Sequence, residues 1–159
     1  MKTKSIFSIF MLFCSMTVFA QSNVSSNKEA IRIFIEDVWT KKQFDKLEAL
    51  LADSVIFHVN NFYTPSGNTE TTIGSIKEWH TAFPDFKYVV LNIIGEENYV
   101  AANLRFTGTH KSQFMGMDPQ NNAIDVTELM MFRFKNKRIV EIWSVWDYIT
   151  MRLQMLKSK

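Results

Sequence analysis

The chain has 159 residues, of which 47% are hydrophobic, 14% aromatic and 21% charged. That composition fits one packed domain and excludes disorder and collagen-like structure. The net charge of +2 resides in Lys2 and Lys4, and the rest of the chain balances 16 basic against 16 acidic residues. Such neutrality gives no electrostatic footprint for nucleic acid or for an anionic membrane surface.

Residues 1–20 read as an address. A short positive stretch, Met1-Lys2-Thr3-Lys4, precedes an apolar run from Ile6 to Phe19, which ends at Val18-Phe19-Ala20. This is the pattern of a secretory signal peptide, so the mature protein is expected in the periplasm or outside the cell. A retained signal anchor is the competing reading. The apolar run is short for a stable span, and no membrane span is expected once the signal is removed. Cys14 follows Phe13, not the small residue that a lipidation site requires. Loss of residues 1–20 removes the sole cysteine, which excludes disulfides, thiol chemistry and Cys-based metal sites.

The segment 21–27 is polar and reads as a flexible lead, with Ser26 and Glu29 spaced as a capping box. Ile31, Phe34, Ile35, Val38 and Trp39 then recur at helical spacing and make one apolar stripe. A shorter helix uses Phe44, Leu47, Leu50 and Leu51. Residues 54–60 alternate, with Val55, Phe57 and Val59 on one face and Ile56, His58 and Asn60 on the other. Pro65-Ser66-Gly67-Asn68 marks a loop. Residues 73–83 read as a helix carrying Ile76, Trp79, His80 and Phe83, stopped by Pro84.

Beyond Asp85 the period changes to two. Strands are expected over 86–94, 98–109, 123–134 and 138–148, with a loop at 110–122 and a hairpin turn at Asn136-Lys137. A short amphipathic helix, 149–156, closes the chain. Helices followed by consecutive strands define an α+β fold in one domain, 28–156, with a three-residue tail, 157–159. Long strands apolar on both faces suggest a curved sheet, one face covering helices and the other a second subunit. A homodimer through the sheet is therefore expected.

Several segments in order carry a resemblance: Phe83-Pro84-Asp85-Phe86, Phe106-Thr107-Gly108-Thr109-His110, Phe114-Met115-Gly116-Met117-Asp118-Pro119, Phe132-Arg133-Phe134, and Arg138 through Trp143 to Asp147. In this order and spacing they resemble the SnoaL-like polyketide cyclases, or ester cyclases, of the nuclear transport factor 2-like superfamily, over roughly residues 28–156. The resemblance implies a cone-shaped α+β barrel, a curved antiparallel or mixed sheet wrapped around N-terminal helices, with a deep apolar cavity. It implies an intramolecular aldol reaction on a polyketide ester, driven by an acidic residue and hydrogen-bonding partners, with no metal and no cofactor. Asp147 stands at the position of the family's Asp after the last strand. His58 with Asn60 resembles the family's His near the end of the first strand, and His110 the His after the Gly-Thr pair. The chain departs from the pattern at Ile142, where a His commonly precedes the Trp, at Ser112, and at Pro119-Gln120-Asn121-Asn122.

Proton abstraction beside a carbonyl needs a base near the acidic carbon and donors for the enolate oxygen. Asp147 is the leading candidate, with Trp143 and Trp146 as apolar walls; the alternative is an N-cap of the terminal helix. Glu128 sits on an otherwise apolar face, where it either lines the cavity or pairs with a base such as Arg105. His58, Asn60 and His110 are candidates to orient or donate, against roles as packed or loop residues. Trp79 and Tyr63 are further cavity candidates. No His, Asp or Glu spacing matches a metal site, so none is expected. Three functions follow: a cofactor-independent cyclase or isomerase acting on an apolar carbonyl compound, a binding module for the same kind of molecule, or a dimerisation domain.

Overall fold

The computed structural model describes residues 23–157 apart from residue 61, and the side chains of that span apart from residues 61–65. The expected signal segment, residues 1–20, lies outside the described residues. Helix α1 spans residues 23–40. Its first part, 23–32, is an ordinary α-helix, and Ile33–Thr40 continues it with wider turns. The Thr40 hydroxyl donates to the Ile35 carbonyl at 3.1 Å, a reach that suits the wider turn. The helix is already formed at residue 23 and takes in 23–27, the stretch read from the sequence as a polar lead. Ser26 therefore sits inside the helix, bonding the Asn23 carbonyl, and caps nothing.

A short turn, Phe44–Lys46, leads into the one-turn helix α2, Leu47–Leu50. Strand β1 is Leu51–Val59 and β2 is Phe62–Gly67. β2 pairs antiparallel with β1, where the sequence pattern indicates a loop. Turn-forming Pro65 and Gly67 hide this strand, and an edge position tolerates both. Helix α3, Thr69–Ala82, begins four residues earlier than its apolar pattern suggests. Asn68 caps it: its side chain accepts from the Thr71 N–H at 3.0 Å, and its own N–H donates to the Thr71 hydroxyl at 2.8 Å.

Strands β3 (Lys87–Glu96), β4 (Tyr99–Thr109), β5 (Ala123–Lys135) and β6 (Arg138–Trp146) precede the terminal helix α4 (Tyr148–Met155). The six strands form one open sheet in the order β2-β1-β6-β5-β4-β3. Neighbours are antiparallel except β1 and β6, which run parallel. The result is the mixed sheet of an α+β cone. Among the described residues, no helix is long and apolar enough to cross a membrane.

Burial along β4 and β5 follows the predicted alternation. Val100, Ala102, Leu104 and Phe106 face inward from β4, and Ile124, Val126, Glu128, Met130, Phe132 and Phe134 from β5. The α1 stripe closes over this face, with Phe34 meeting Phe132 edge to face at 5.8 Å. From α3, Trp79 and Phe83 stand edge-on to Phe106 at 5.4 and 5.5 Å. These aromatic contacts fix the helices over one half of the sheet.

Candidate functional site

A cavity of about 330 Å³ remains between α1, α3 and the inner sheet face. Its walls include Phe34, Trp39, Phe57, Trp79, Tyr88 and Trp146, and Thr71, Thr72 and Ser75 line the α3 side. Gly67 lines the cavity where β2 ends. A Cβ there would lie 2.7 Å from the Phe57 ring and from the Thr71 hydroxyl, so any larger residue would force these two cavity side chains to move.

Glu128 is the acid of this cavity. Alternation on β5 turns it inward, and its residue surface is only 6% exposed. Tyr88, from β3, donates its phenol O–H to Oε2 in a short hydrogen bond. Ser144, from β6, donates to Oε1 at 2.6 Å. Three strands thus meet at one carboxyl. Register brings this about, since Glu128 faces Trp146 across the ladder and Ser144 faces Met130, two residues along the same inner face. Burial pushes the Glu128 pKa above its ordinary value of 4.5, and the two hydroxyls offset only part of that rise. Burial, then the neighbouring Glu128 charge, pushes the Tyr88 phenol well above 10. Tyr88 therefore remains a donor throughout the working range, while Glu128 exchanges a proton nearer neutrality than a surface carboxylate does.

Asp147 lies elsewhere. It is exposed and caps α4, its Oδ1 accepting from the Thr150 N–H at 2.9 Å. Hydrogen bonds from Thr150 outweigh its slight burial and lower its pKa, the opposite of the rise that an apolar cavity would impose. The terminal helix demands a cap at this position, and that demand places the side chain. Asp147 lines a separate shallow groove together with Val59, Asn60, Met115, Trp146, Tyr148 and Ile149. Asn60 is in this groove too; its side-chain oxygen accepts from the Trp146 N–H at 3.1 Å and ties β1 to β6.

The alternation expected in β1 holds, but His58 is on its outer face. Phe57 and Val59 line the cavity instead. His58 bonds Glu141 at 2.8 Å and stacks on Trp143 with ring centroids 5.0 Å apart. Trp143 shares that outer face and is not a cavity wall, because Ile142, Ser144 and Trp146 are the inward residues of β6. His110 is fully buried beside Phe83, 5.6 Å between centroids, and is absent from the cavity lining. Burial pulls its pKa down, with partial offset from the Ser112 backbone, and neither ring nitrogen reaches a partner of good hydrogen-bond geometry. His80 packs against α1, its Nε2 2.7 Å from the Trp39 carbonyl. Trp79 lines the cavity, and the Tyr63 side chain lies outside the described set. Arg105 pairs with Asp125 across the outer face, Nε to Oδ1 at 2.7 Å, and leaves Glu128 to its hydroxyl partners.

Sequence reasoning missed Tyr88 and Ser144 as site residues. Both carried a signal. Each is a hydroxyl on the inward face of a strand whose other inward residues are apolar, the same anomaly that singles out Glu128.

An open mixed sheet coned around helices, with an apolar cavity between them, is the nuclear transport factor 2-like fold. Within it, the family profile described as SnoaL-like polyketide cyclase matches residues 29–155, and the chain belongs to that family. IdmH from Streptomyces antibioticus, a candidate polyketide cyclase, is 26% identical, with a TM-score of 0.70 over 80% of this chain and 96% of its own. A candidate SnoaL-like polyketide cyclase from Jannaschia sp. CCS1 is 18% identical, with a TM-score of 0.77 over 86% of this chain and 95% of its own. AclR from Streptomyces galilaeus, a candidate hydroxylase, is 19% identical, with a TM-score of 0.72 over 83% of this chain and 82% of its own. Among curated proteins no match is found.

Proposed function

We propose that the protein is a cofactor-independent cyclase or isomerase that moves a proton next to a carbonyl, with Glu128 as acid and base. The observation that carries this reading is a buried carboxyl, raised in pKa, facing an aromatic cavity with two hydroxyls at its oxygens. In its ionised form Glu128 takes the proton from the carbon, and in its protonated form it returns it. Tyr88 and Ser144 give their hydroxyl protons to Glu128 and so hold the carboxyl in place. Family membership supports the reaction class. The apolar walls suit an apolar carbonyl-containing small molecule.

The test is exchange of the α-protons of aryl β-keto methyl esters for solvent deuterium, followed by NMR. The native protein accelerates exchange. Glu128→Gln lowers that acceleration by about 10²–10⁴-fold, the usual contribution of a positioned acid or base. Equal exchange in native protein and variant sinks the assignment. A second reading, a non-catalytic binding module, is favoured by one fact: both Glu128 oxygens already have protein partners. It predicts tight retention of such esters with no exchange above buffer.

Two further expectations belong to this proposal. Export through the 1–20 signal is supported by Lys2, Lys4 and the apolar run to Ala20, and the N-terminal residue of the secreted product tests it. A homodimer through the outer sheet face is supported by the exposed side chains of Leu129, Met131 and Val145. Sedimentation at micromolar concentration tests that.

A further inference from the structure

Five of the residues lining the cavity carry hydroxyls that give their protons to the protein itself. Thr71 and Thr72 donate to the Asn68 carbonyl at 3.0 and 2.8 Å, and Ser75 donates to the Thr71 carbonyl at 3.2 Å. Tyr88 and Ser144 donate to Glu128. Each of these oxygens keeps lone pairs, so towards a ligand they accept and do not donate. Glu128 has the same surplus. A carboxylate carries about four acceptor sites, and among the described residues only Tyr88 and Ser144 bond to it. No basic side chain is among the described residues lining the cavity. The Trp39 indole N–H is an unpartnered donor, but it is sealed from water and so from a ligand in the cavity. A buried acceptor short of partners costs free energy, and a donor brought by a ligand relieves that cost.

We propose that the cavity selects molecules that bring a hydroxyl donor, a phenol or the enol of a 1,3-dicarbonyl compound, whose O–H is accepted by Glu128. This rests on the assignment of the cavity as the ligand site and gives it a substrate class. A keto or ether oxygen placed at the ionised acid faces only acceptors and is disfavoured, so a 1,3-dicarbonyl compound is held there as its enol. A cavity of about 150 Å³ encloses a benzene ring, and this one, at about 330 Å³, has room for two fused rings. The preference has a pH sign. Ionised Glu128 only accepts, whereas protonated Glu128 has a proton of its own to donate. Tyr88 on β3 is the only other titratable group among the described lining residues, and it stays protonated throughout. What α1, α3, β1 and β6 contribute to the lining is uncharged, and Leu104, opposite Glu128 on β4, is apolar.

The experiment needs no turnover. Three probes are titrated by calorimetry: 2-naphthol, 2-methylnaphthalene of the same shape, and 2-methoxynaphthalene, which keeps the oxygen without its proton. At pH 8 the native protein binds 2-naphthol about ten- to hundredfold more tightly than either comparator, the scale of a hydrogen bond to a charged acceptor. The preference shrinks at pH 4, and it shrinks in Glu128→Gln at pH 8, because the amide donates as well as accepts. Equal binding of the three probes at pH 8 overturns the proposal, as does binding of none. A preference that neither pH 4 nor Glu128→Gln reduces overturns it too, since the donor then goes elsewhere. A preference that behaves as expected in a protein without ester exchange sinks the acid–base assignment and leaves the selection for donors standing.

Discussion

Glu128 and Glu141 occupy adjacent strands of one sheet and have opposite chemistry. Glu128 faces inward, bonded to two neutral hydroxyls, and its pKa is raised. Glu141 faces outward, bonded to His58 at 2.8 Å and to Arg133 at 2.7 and 2.6 Å, and its pKa is lowered despite partial burial. Burial raises both acids. The partners decide the outcome: hydroxyls leave desolvation in command, whereas a guanidinium and an imidazole overrule it. A carboxylate secured by a guanidinium and an imidazole is poorly suited to exchange protons near neutrality. The one left with hydroxyls holds its proton longer and is the better acid and base, at a cost to stability.

The largest way to break this contrast is Glu128→Gln. A raised folded pKa means that Glu128's contribution is fully present below its ordinary range near 4.5 and is lost as pH climbs through the folded value. At pH 8 the ionised acid therefore weakens the fold, by about 1.4 kcal/mol for every tenfold gain in proton affinity on folding. The Gln variant is expected to melt higher than the native protein at pH 8 while losing exchange activity, and the gain disappears towards pH 4. Scanning calorimetry at both values checks this. A variant that melts lower at pH 8 would make Glu128 a stabilising structural acid.

Glu141→Gln is expected to act with the opposite sign. Its lowered folded pKa gives stability that is present above 4.5 and lost as pH falls through the folded value. The variant should melt a few degrees lower at pH 7 and match the native protein at strongly acid pH, with the difference shrinking in high salt because the cluster is partly exposed. Thermal melts at two ionic strengths resolve it. Asp147→Ala has the smallest effect: loss of the α4 cap lowers the melting temperature slightly, and Asp147→Asn restores most of it. If Asn fails to restore it, the carboxylate does more for the fold than cap α4.

Much of the fold is legible in the sequence because it rests on period. The inward set of β5 and the separation of His58 from Phe57 both follow from strict alternation. Which face of β1 and β6 meets the cavity is not fixed by period alone. His58 and Trp143 stand out for their chemistry beside Phe57 and Ser144, yet the sheet turns the second pair inward. Asp147 illustrates a different limit. One residue past the end of β6, strand alternation gives way to helix capping, and the backbone's need for an acceptor at Thr150 outranks continuation of the strand face. Tyr88 comes to Glu128 from a strand two places away in the sheet, a contact that depends on curvature rather than spacing.

The parallel pairing of β1 with β6 joins residues 51–59 to 138–146. No hairpin can form that pair, so its closure entropy is met only after nearly the whole chain exists. Asn60 cannot reach the Trp146 N–H, nor Val59 and Trp146 shape the cavity, until the last strand has docked. The cavity is therefore a late product of folding. A ribosome-bound chain lacking its final twenty residues has α1 to α3 and the β3-β4-β5 meander but neither α4 nor a closed cavity, and its β5 edge awaits β6.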